Sequence, residues 1–432
     1  MESGVVPVQE NSIESGALNA AAMLPGQLPS GFRLLWCGQS ISLIGSQFSS
    51  LAIQVIAVNM LHAGAMQMGY LTASQTIPYL VFSLFIGVII DRSSKRGLMV
   101  GADVIRCLTL VSAAILVGTG HLTITLLCGV VCFVSTFNLL FDAALGALIP
   151  QLFHLRQRLT ANSRLQISLS GSEMVGPSVA GCVLEILSAT SIMFVDAGTY
   201  LLSAGCILFA VRGQLTPTES SGPVAAKTVT PSGMVAAFVE GIKFVALQPI
   251  LRAFGIWSAT WNFSWSAVLA VLVLYASRTL NMSPFSIGLA FAIGALGGVA
   301  GAFIASELQR RWTYGRVLVV APLVGACGGA VLLYAHGKHS FAIVAGGLFL
   351  YNLGETVFGV NMQTCRQNVT PYHLLGRMDT ALRFCFKGMA SLGALTGGYI
   401  GSTFGVYQAL AVGVGGLFVA FLGLRFSRIA DL

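Results

Sequence analysis

The stretch GVIIDRSSKRGLMVGADVIR, residues 87–106, concentrates charge between two long apolar runs. Those runs, at approximately 68–90 and 98–119, are each long enough to cross a hydrocarbon layer about 30 Å thick. The stretch therefore reads as a short loop at a membrane surface that joins two spanning helices. The rest of the chain extends this reading. Only 9% of its 432 residues are charged and 55% are hydrophobic, with a mean hydropathy of +0.82. Ordinary soluble domains carry roughly 25% charge, and a chain this oily could not cover a core of this size with polar surface. Continuous apolar runs, rather than alternation, favour helices over a transmembrane barrel.

Twelve apolar windows run at approximately 33–61, 68–90, 98–119, 122–149, 161–187, 190–211, 250–277, 284–307, 316–336, 340–364, 378–403 and 406–425. With the N-terminus placed inside, 20 of the 23 Lys and Arg residues collect on one face, among them Arg33, Lys95, Arg156, Arg252, Arg310, Arg377 and Arg428. The opposite face receives Arg278 and Lys338, and Lys387 falls within a span. This bias marks cytoplasmic loops and predicts an N-in, C-in orientation. The net charge of +8 is thus a matter of topology, and no nucleic-acid partner is expected. The nine cysteines form no CxxC pair and mostly lie within apolar runs, as small membrane-buried thiols do. Residues 1–31 hold Glu2, Glu10 and Glu14 but no Lys or Arg. They lack the basic start of a signal peptide and are expected to form a disordered cytoplasmic tail.

The longest polar interruption, RGQLTPTESSGPVAAKTVTPSG (212–233), has the Pro, Ser, Thr and Gly content of a flexible linker. MVAAFVEGIKFVAL (234–247) is too short to span and reads as an amphipathic helix on the cytoplasmic surface. The expected organisation is a six-helix half at 32–212, a linker with its surface helix at 213–248, a second half at 249–425 and a short tail at 426–432. The halves also resemble each other. Residues 159–181 align without gaps on 376–398, bringing Gly181 onto Gly398, and Gly87 has a weaker counterpart in Gly301. A duplicated six-helix unit with substrate between its copies is a recurrent transporter plan.

The run from Gly87 through Asp91, Arg92, Lys95 and Arg96 resembles the loop signature of the major facilitator superfamily, with Ser94 where that family usually has Gly. The following Asp103-x-x-Arg106, with RQNVTPYHLLGR (366–377), is similar to a subgroup that includes the enterobactin exporter and macrolide-efflux proteins. The resemblance implies an all-α membrane fold of twelve helices in two pseudo-symmetric halves. It also implies a latch role for Asp91, behind Gly87, in an interaction across the halves. Alternatively, the basic residues of this loop only fix topology. Gly171, Gly176, Pro177 and Gly181 resemble the antiporter-type motif of superfamily exporters, with Ala180 where a second Gly is usual. A proline and small residues also let a helix bend and pack closely, whatever its role.

Ionisable groups within spans are costly and mark functional positions. Asp142 and Glu173 are the leading acids of the N-terminal half, as proton carriers or, for Asp142, as a structural partner of Arg164 or Arg106. Glu355 and Lys387 lie at equal depth, ~15 Å by helical rise, on consecutive antiparallel spans, so an ion pair between them is expected. Asp196 lies near the outer end of span six, where it can face water. Span one carries a polar stripe that includes Gln39 and Ser46, with Gln47 beside it. Span seven carries Trp257, Trp261 and Trp265 at steps of four, with Asn262. The tryptophans suit either a cavity for a bulky ligand or the membrane boundary. Tyr79, after Pro78, is a further cavity residue.

No phosphate-binding loop, cofactor motif or metal-ligand cluster appears, so no enzyme chemistry, cofactor or metal is expected. The expected protein is a monomeric secondary transporter of the bacterial inner membrane, exporting a small amphipathic molecule such as a siderophore, drug or natural product. Proton antiport is the expected energy source. The alternatives are a proton-coupled importer on the same fold, or a non-transporting scaffold or sensor.

Overall fold

The computed structural model describes residues 28, 30–153, 155–213, 231–371 and 374–431. Most of the expected tail at 1–31 and most of the polar linker fall outside these residues. Among the described residues the only regular structure is helical. The chain's first half comprises α1 (Ser30–Val55), α2 (Ala65–Arg92), α3 (Lys95–Gly118), α4 (Ile124–Leu152), α5 (Leu155–Ile186) and α6 (Ala189–Gly213). Its second comprises α8 (Pro249–Leu274), α9 (Pro284–Arg311), α10 (Tyr314–Leu332), α11 (Ser340–Val369), α12 (Leu375–Thr403) and α13 (Val406–Arg425). Between them α7 (Pro231–Leu247) is the short helix expected at 234–247. Among the described residues nine helices are long and apolar enough to cross a membrane. The face carrying α7, the start of α1 and the end of α13 is called here the linker face, and the opposite one the far face.

The duplication is visible in backbone detail. α1 runs on into one π-helical turn, Ile56–Met60, and α8 into another, Tyr275–Thr279. Each is followed by a left-handed non-glycine residue, His62 (φ 49°) and Asn281 (φ 52°), residue types that adopt this region more readily than most. α2 and α9 both have 28 residues, and the loops after them reuse one device. Ser94 Oγ accepts from Gly97 N at 2.9 Å and Thr313 Oγ1 accepts from Arg316 N at 3.4 Å, capping the next helix. This register aligns Arg92 with Arg311, so the counterpart of Gly87 is Ser306 and not Gly301. The helix caps set the pairing, whereas the glycine match in sequence was a coincidence of small residues.

Without a hydrophobic force between helices in lipid, close packing depends on small residues. Two such contacts join the halves. A Cβ on Gly69 of α2 would lie 2.8 Å from the Ala394 carbonyl oxygen of α12, and one on Gly181 of α5 would lie 3.0 Å from Gly288 Cα of α9. Toward the far face one continuous apolar core draws on both halves, from Ile56, Ala57 and Met68 to Val271, Leu272 and Leu410. Toward the linker face the cores are separate. Phe32, Met99 and Phe141 belong to the first half's own core, and Phe254, Leu318 and Phe358 to the second's. The halves are thus joined at the far face and parted at the linker face.

Candidate functional site

The far-face junction is latched by polar contacts between the two π-helical turns. Arg278 Nη2 donates to the Val58 carbonyl at 3.2 Å, and Ser277 Oγ donates to Asn59 Oδ1 at 3.1 Å. Both π turns leave carbonyls outside the regular ladder, where a neighbouring helix can use them. Arg278→Ala is expected to weaken closure by about 0.5–1.5 kcal/mol, the net worth of such a bond. The readout is faster thiol labelling of a Val58→Cys reporter, whose side chain is buried and whose carbonyl remains available to Arg278; an unchanged rate would show that the latch carries no closure energy.

Just below this junction lie two connected polar chambers. One, about 220 Å³, is formed between the halves by Gln47, Gln54, Thr72, Leu269 and Phe291, together with Ser50 and Gln75. The other, about 160 Å³, shares Ser50 and Gln75 and extends into the first half past Ser46, Asn138, Asp196 and Tyr200. α1 supplies one wall because its polar residues recur every three to four positions. Gly176 of α5 provides the notch that seats Gln47, since a Cβ there would collide with that side chain.

The inner chamber ends at a buried charge network. Arg106 of α3 forms an ion pair with Asp103 and donates to Asn138 Oδ1 at 2.5 Å. Its guanidinium also lies over the rings of Phe141, at 4.7 Å, and Tyr200, at 4.3 Å. Tyr200 OH and Ser46 Oγ are 2.9 Å apart, linking the network to α1. Asp142, one helical turn from Asn138 on α4, is exposed and within electrostatic reach of Arg106 and Tyr79. Asp196 is fully buried rather than facing water; Thr199 Oγ1 donates to its Oδ1 at 3.1 Å and its Oδ2 has no partner. α6 begins at the far face, so seven residues carry Asp196 about 10 Å inward, beyond the interface.

The loop residues that introduced the reading lie apart from this network. Lys95 starts α3, and Arg96 Nη2 donates to the Leu208 carbonyl of α6 at 2.8 Å. Asp103 and Arg106 sit about two and three turns deeper, inside the bundle. The side chains of Gly87, Asp91, Arg92, Glu173 and Pro177 lie outside the described residues. Gly171 meets nothing within 4 Å. Gln39 is buried, with its Oε1 unpartnered.

In the second half, Glu355 and Lys387 form no ion pair with each other among the described residues. Lys387 Nζ instead lies 5.3 Å from the ring centre of Tyr79 in the first half. One Glu355 oxygen, Oε2, is buried without a hydrogen-bond partner. The tryptophan stripe fills the half's own interior. Trp257 rests on the notch at Gly423 of α13, and Trp261 on Gly325 of α10. Trp261 Nε1 donates to Tyr351 OH at 3.2 Å, and Trp265 stacks on Tyr351 at 3.4 Å. Asn262 returns its amide to the Ser258 carbonyl at 2.9 Å. Asn138, Gln75 and Tyr200 were not anticipated from the sequence. The trace of Asn138 and Tyr200 there is a polar group within an apolar run, with Asn138 spaced one turn before Asp142, and that of Gln75 is a short polar cluster, Ser74 to Thr76, within span two.

Two six-helix halves with a polar path at their seam match a recurrent transporter plan. The profile of the Major Facilitator Superfamily matches residues 35–394, and the chain belongs to that family. It is 26% identical over 395 residues to the uncharacterized MFS-type transporter YfiS of Bacillus subtilis (strain 168), covering 88% of this chain and 89% of that one. The multidrug efflux pump Tap of Mycolicibacterium fortuitum is 20% identical over 385 residues, 86% of this chain and 90% of Tap. Macrolide efflux protein A of Streptococcus pyogenes is 28% identical over 166 residues, 38% of this chain and 40% of that one. A bacterial homologue of the iron transporter ferroportin, in an inward-facing state, has the same fold. Its TM-score is 0.73 at 14% identity, covering 94% of this chain and all of that one.

Proposed function

We propose that this chain is a monomeric, proton-coupled exporter of a small amphipathic molecule, working by alternating access in a bacterial inner membrane. The observation that carries this reading is the polar path leading from the seam between the halves to the Asp103–Arg106–Asn138 network. The amides of Gln47, Gln54 and Gln75 beside Leu269 and Phe291 suit a ligand with both polar and apolar faces. Asp142 and Asp196 flank Arg106, so protonation of either carboxylate changes the charge balance around a fixed cation. The 20-of-23 bias of basic residues supports a cytoplasmic linker face. In that orientation the described state is inward-facing, ready to load substrate from the cytoplasm. The resemblance to drug-efflux proteins supports export. In this scheme the 87–106 loop, with Asp91 as latch, closes the linker face after loading, and Gly176 and Gly181 let α5 follow.

The test is uptake of a compound panel into inside-out vesicles with an imposed proton gradient. Gradient-dependent uptake abolished by a protonophore is expected. Asp142→Asn should lower gradient-driven uptake at least ~10-fold, the loss of one proton-transfer group, while leaving equilibrium binding in place. Uptake indifferent to the gradient, or unchanged in that variant, contradicts the coupling. Movement only in the opposite direction contradicts export.

A further inference from the structure

Away from the central path, a groove of about 720 Å³ opens on the side of the molecule under α7. Its walls are Leu80 of α2, Val245 of α7, Ile256 of α8, and Met389 and Leu392 of α12, all apolar. Ile256 and Leu392 are half-exposed along it. The volume is that of a ligand site, roughly 300–1,000 Å³. An apolar hollow at membrane depth does not hold water, which needs polar partners.

The mouth of the groove is cationic. Arg252, at the start of α8, lines the groove and also a second cavity of about 300 Å³. That cavity adds Arg428 and Ser427 from the turn after α13, with the Trp257 ring and the highly exposed Phe426. Neither arginine is joined to a carboxylate among the described residues, and both are exposed. Two guanidinium groups flanking one small cavity suit a single phosphodiester, which they can bind with charge-assisted hydrogen bonds. An apolar groove continuous with that cavity suits the chain attached to it.

We propose that the chain binds an anionic phospholipid from the leaflet at the linker face, with its phosphodiester between Arg252 and Arg428 and one acyl chain in the groove beneath α7. Basic pockets at the membrane edge recognise such headgroups, and each buried methylene adds about 0.8 kcal/mol. The groove draws Leu80 from the first half and its other walls from the second half and α7. Movement between the halves therefore reshapes it, and a lipid seated there favours the described state through its differential affinity.

Native mass spectrometry of the full chain, with phosphatidylglycerol or phosphatidylcholine added, tests the site. Wild-type protein is expected to retain phosphatidylglycerol at least ~5-fold more than phosphatidylcholine, a preference of about 1 kcal/mol. Arg252→Gln/Arg428→Gln should remove that preference, and Leu392→Trp should lower lipid retention by filling the groove with both arginines intact. Arg428→Gln alone, in the turn beyond the last spanning helix, should halve the preference or more with an unchanged melting temperature. Arg310→Gln/Arg311→Gln, at the end of α9, should leave it unaltered. Equal retention of the two lipids, or a preference surviving in the double variant, overturns the proposal. So does displacement of phosphatidylglycerol by equimolar soluble glycerol phosphate, which would make the site one for free phosphoesters.

Discussion

Arg106→Met is expected to lower stability by about 3–5 kcal/mol and to abolish transport. The cost comes from what remains. Asp103 is fully buried, and its Oδ2 already has no partner, so Arg106 is its only counter-charge among the described residues. Removing the guanidinium also leaves Asn138 Oδ1 without its donor and takes the cation from the faces of Phe141 and Tyr200. Methionine restores much of the volume, so the loss is electrostatic and not a cavity. Asp103→Asn/Arg106→Met removes both charges and should regain most of the melting temperature, because a neutral pair carries no buried net charge. Transport should stay absent in the double variant, because the cation that faces Asp142 and Asp196 is gone. Melting of the purified protein and vesicle uptake separate these outcomes. A single variant with wild-type melting would refute the network, and a double variant that transports would refute its role in coupling.

Gly398→Val is expected to hold the far face open and reduce transport at least ~10-fold. A Cβ at Gly398 would lie 2.8 Å from Gly69 Cα and 2.9 Å from the Ala65 carbonyl oxygen, both backbone atoms of α2. Backbone cannot turn aside as a side chain can, so the two helices must separate. Overpacking of this kind costs about 1–3 kcal/mol, and a bias of that size between two states shifts their ratio about 5–150-fold. The described state, with its far face closed, loses by it, because α2 and α12 meet there backbone to backbone. Labelling of the buried Val58→Cys reporter should accelerate in Gly398→Val. Gly415→Val, on α13 with nothing within 4 Å, should leave both labelling and transport unchanged. Transport at the wild-type rate in Gly398→Val would show that this seam does not govern closure.

Several features were legible from the residues because they depend on one dimension only. Burial in lipid is a property of consecutive residues, so hydropathy located twelve spans and the loop at 87–106 between two of them. Helix ends were less well located. α5 starts at Leu155, ahead of the apolar window at 161–187, and α11 runs to Val369, past the window ending at 364. Backbone hydrogen bonds continue after the hydrocarbon stops, and hydropathy registers only the hydrocarbon.

The site divides along the same line. Periodicity shows that residues share a face, so the stripe with Gln39 and Ser46 on α1, and the three tryptophans on α8, were each readable as a group. It does not say what a face meets. Ser46 and Gln47 line the chambers, whereas Trp257 and Trp261 fill notches at Gly423 and Gly325 within their own half. Depth is likewise one-dimensional, and it places Glu355 and Lys387 only on helices that are consecutive in the chain. Consecutive helices need not pack together: α11 packs against α9 and α10, whereas α12 packs against α2 and α8, and Lys387 lies over the Tyr79 ring across the seam. By itself, the sequence determined the membrane-spanning class, the six-plus-six duplication and the acids within the spans. Only the tertiary structure decided that Asp103, Arg106, Asn138 and Asp196 converge behind α1, because the rotation of each helix is set by which small residues let its neighbours approach.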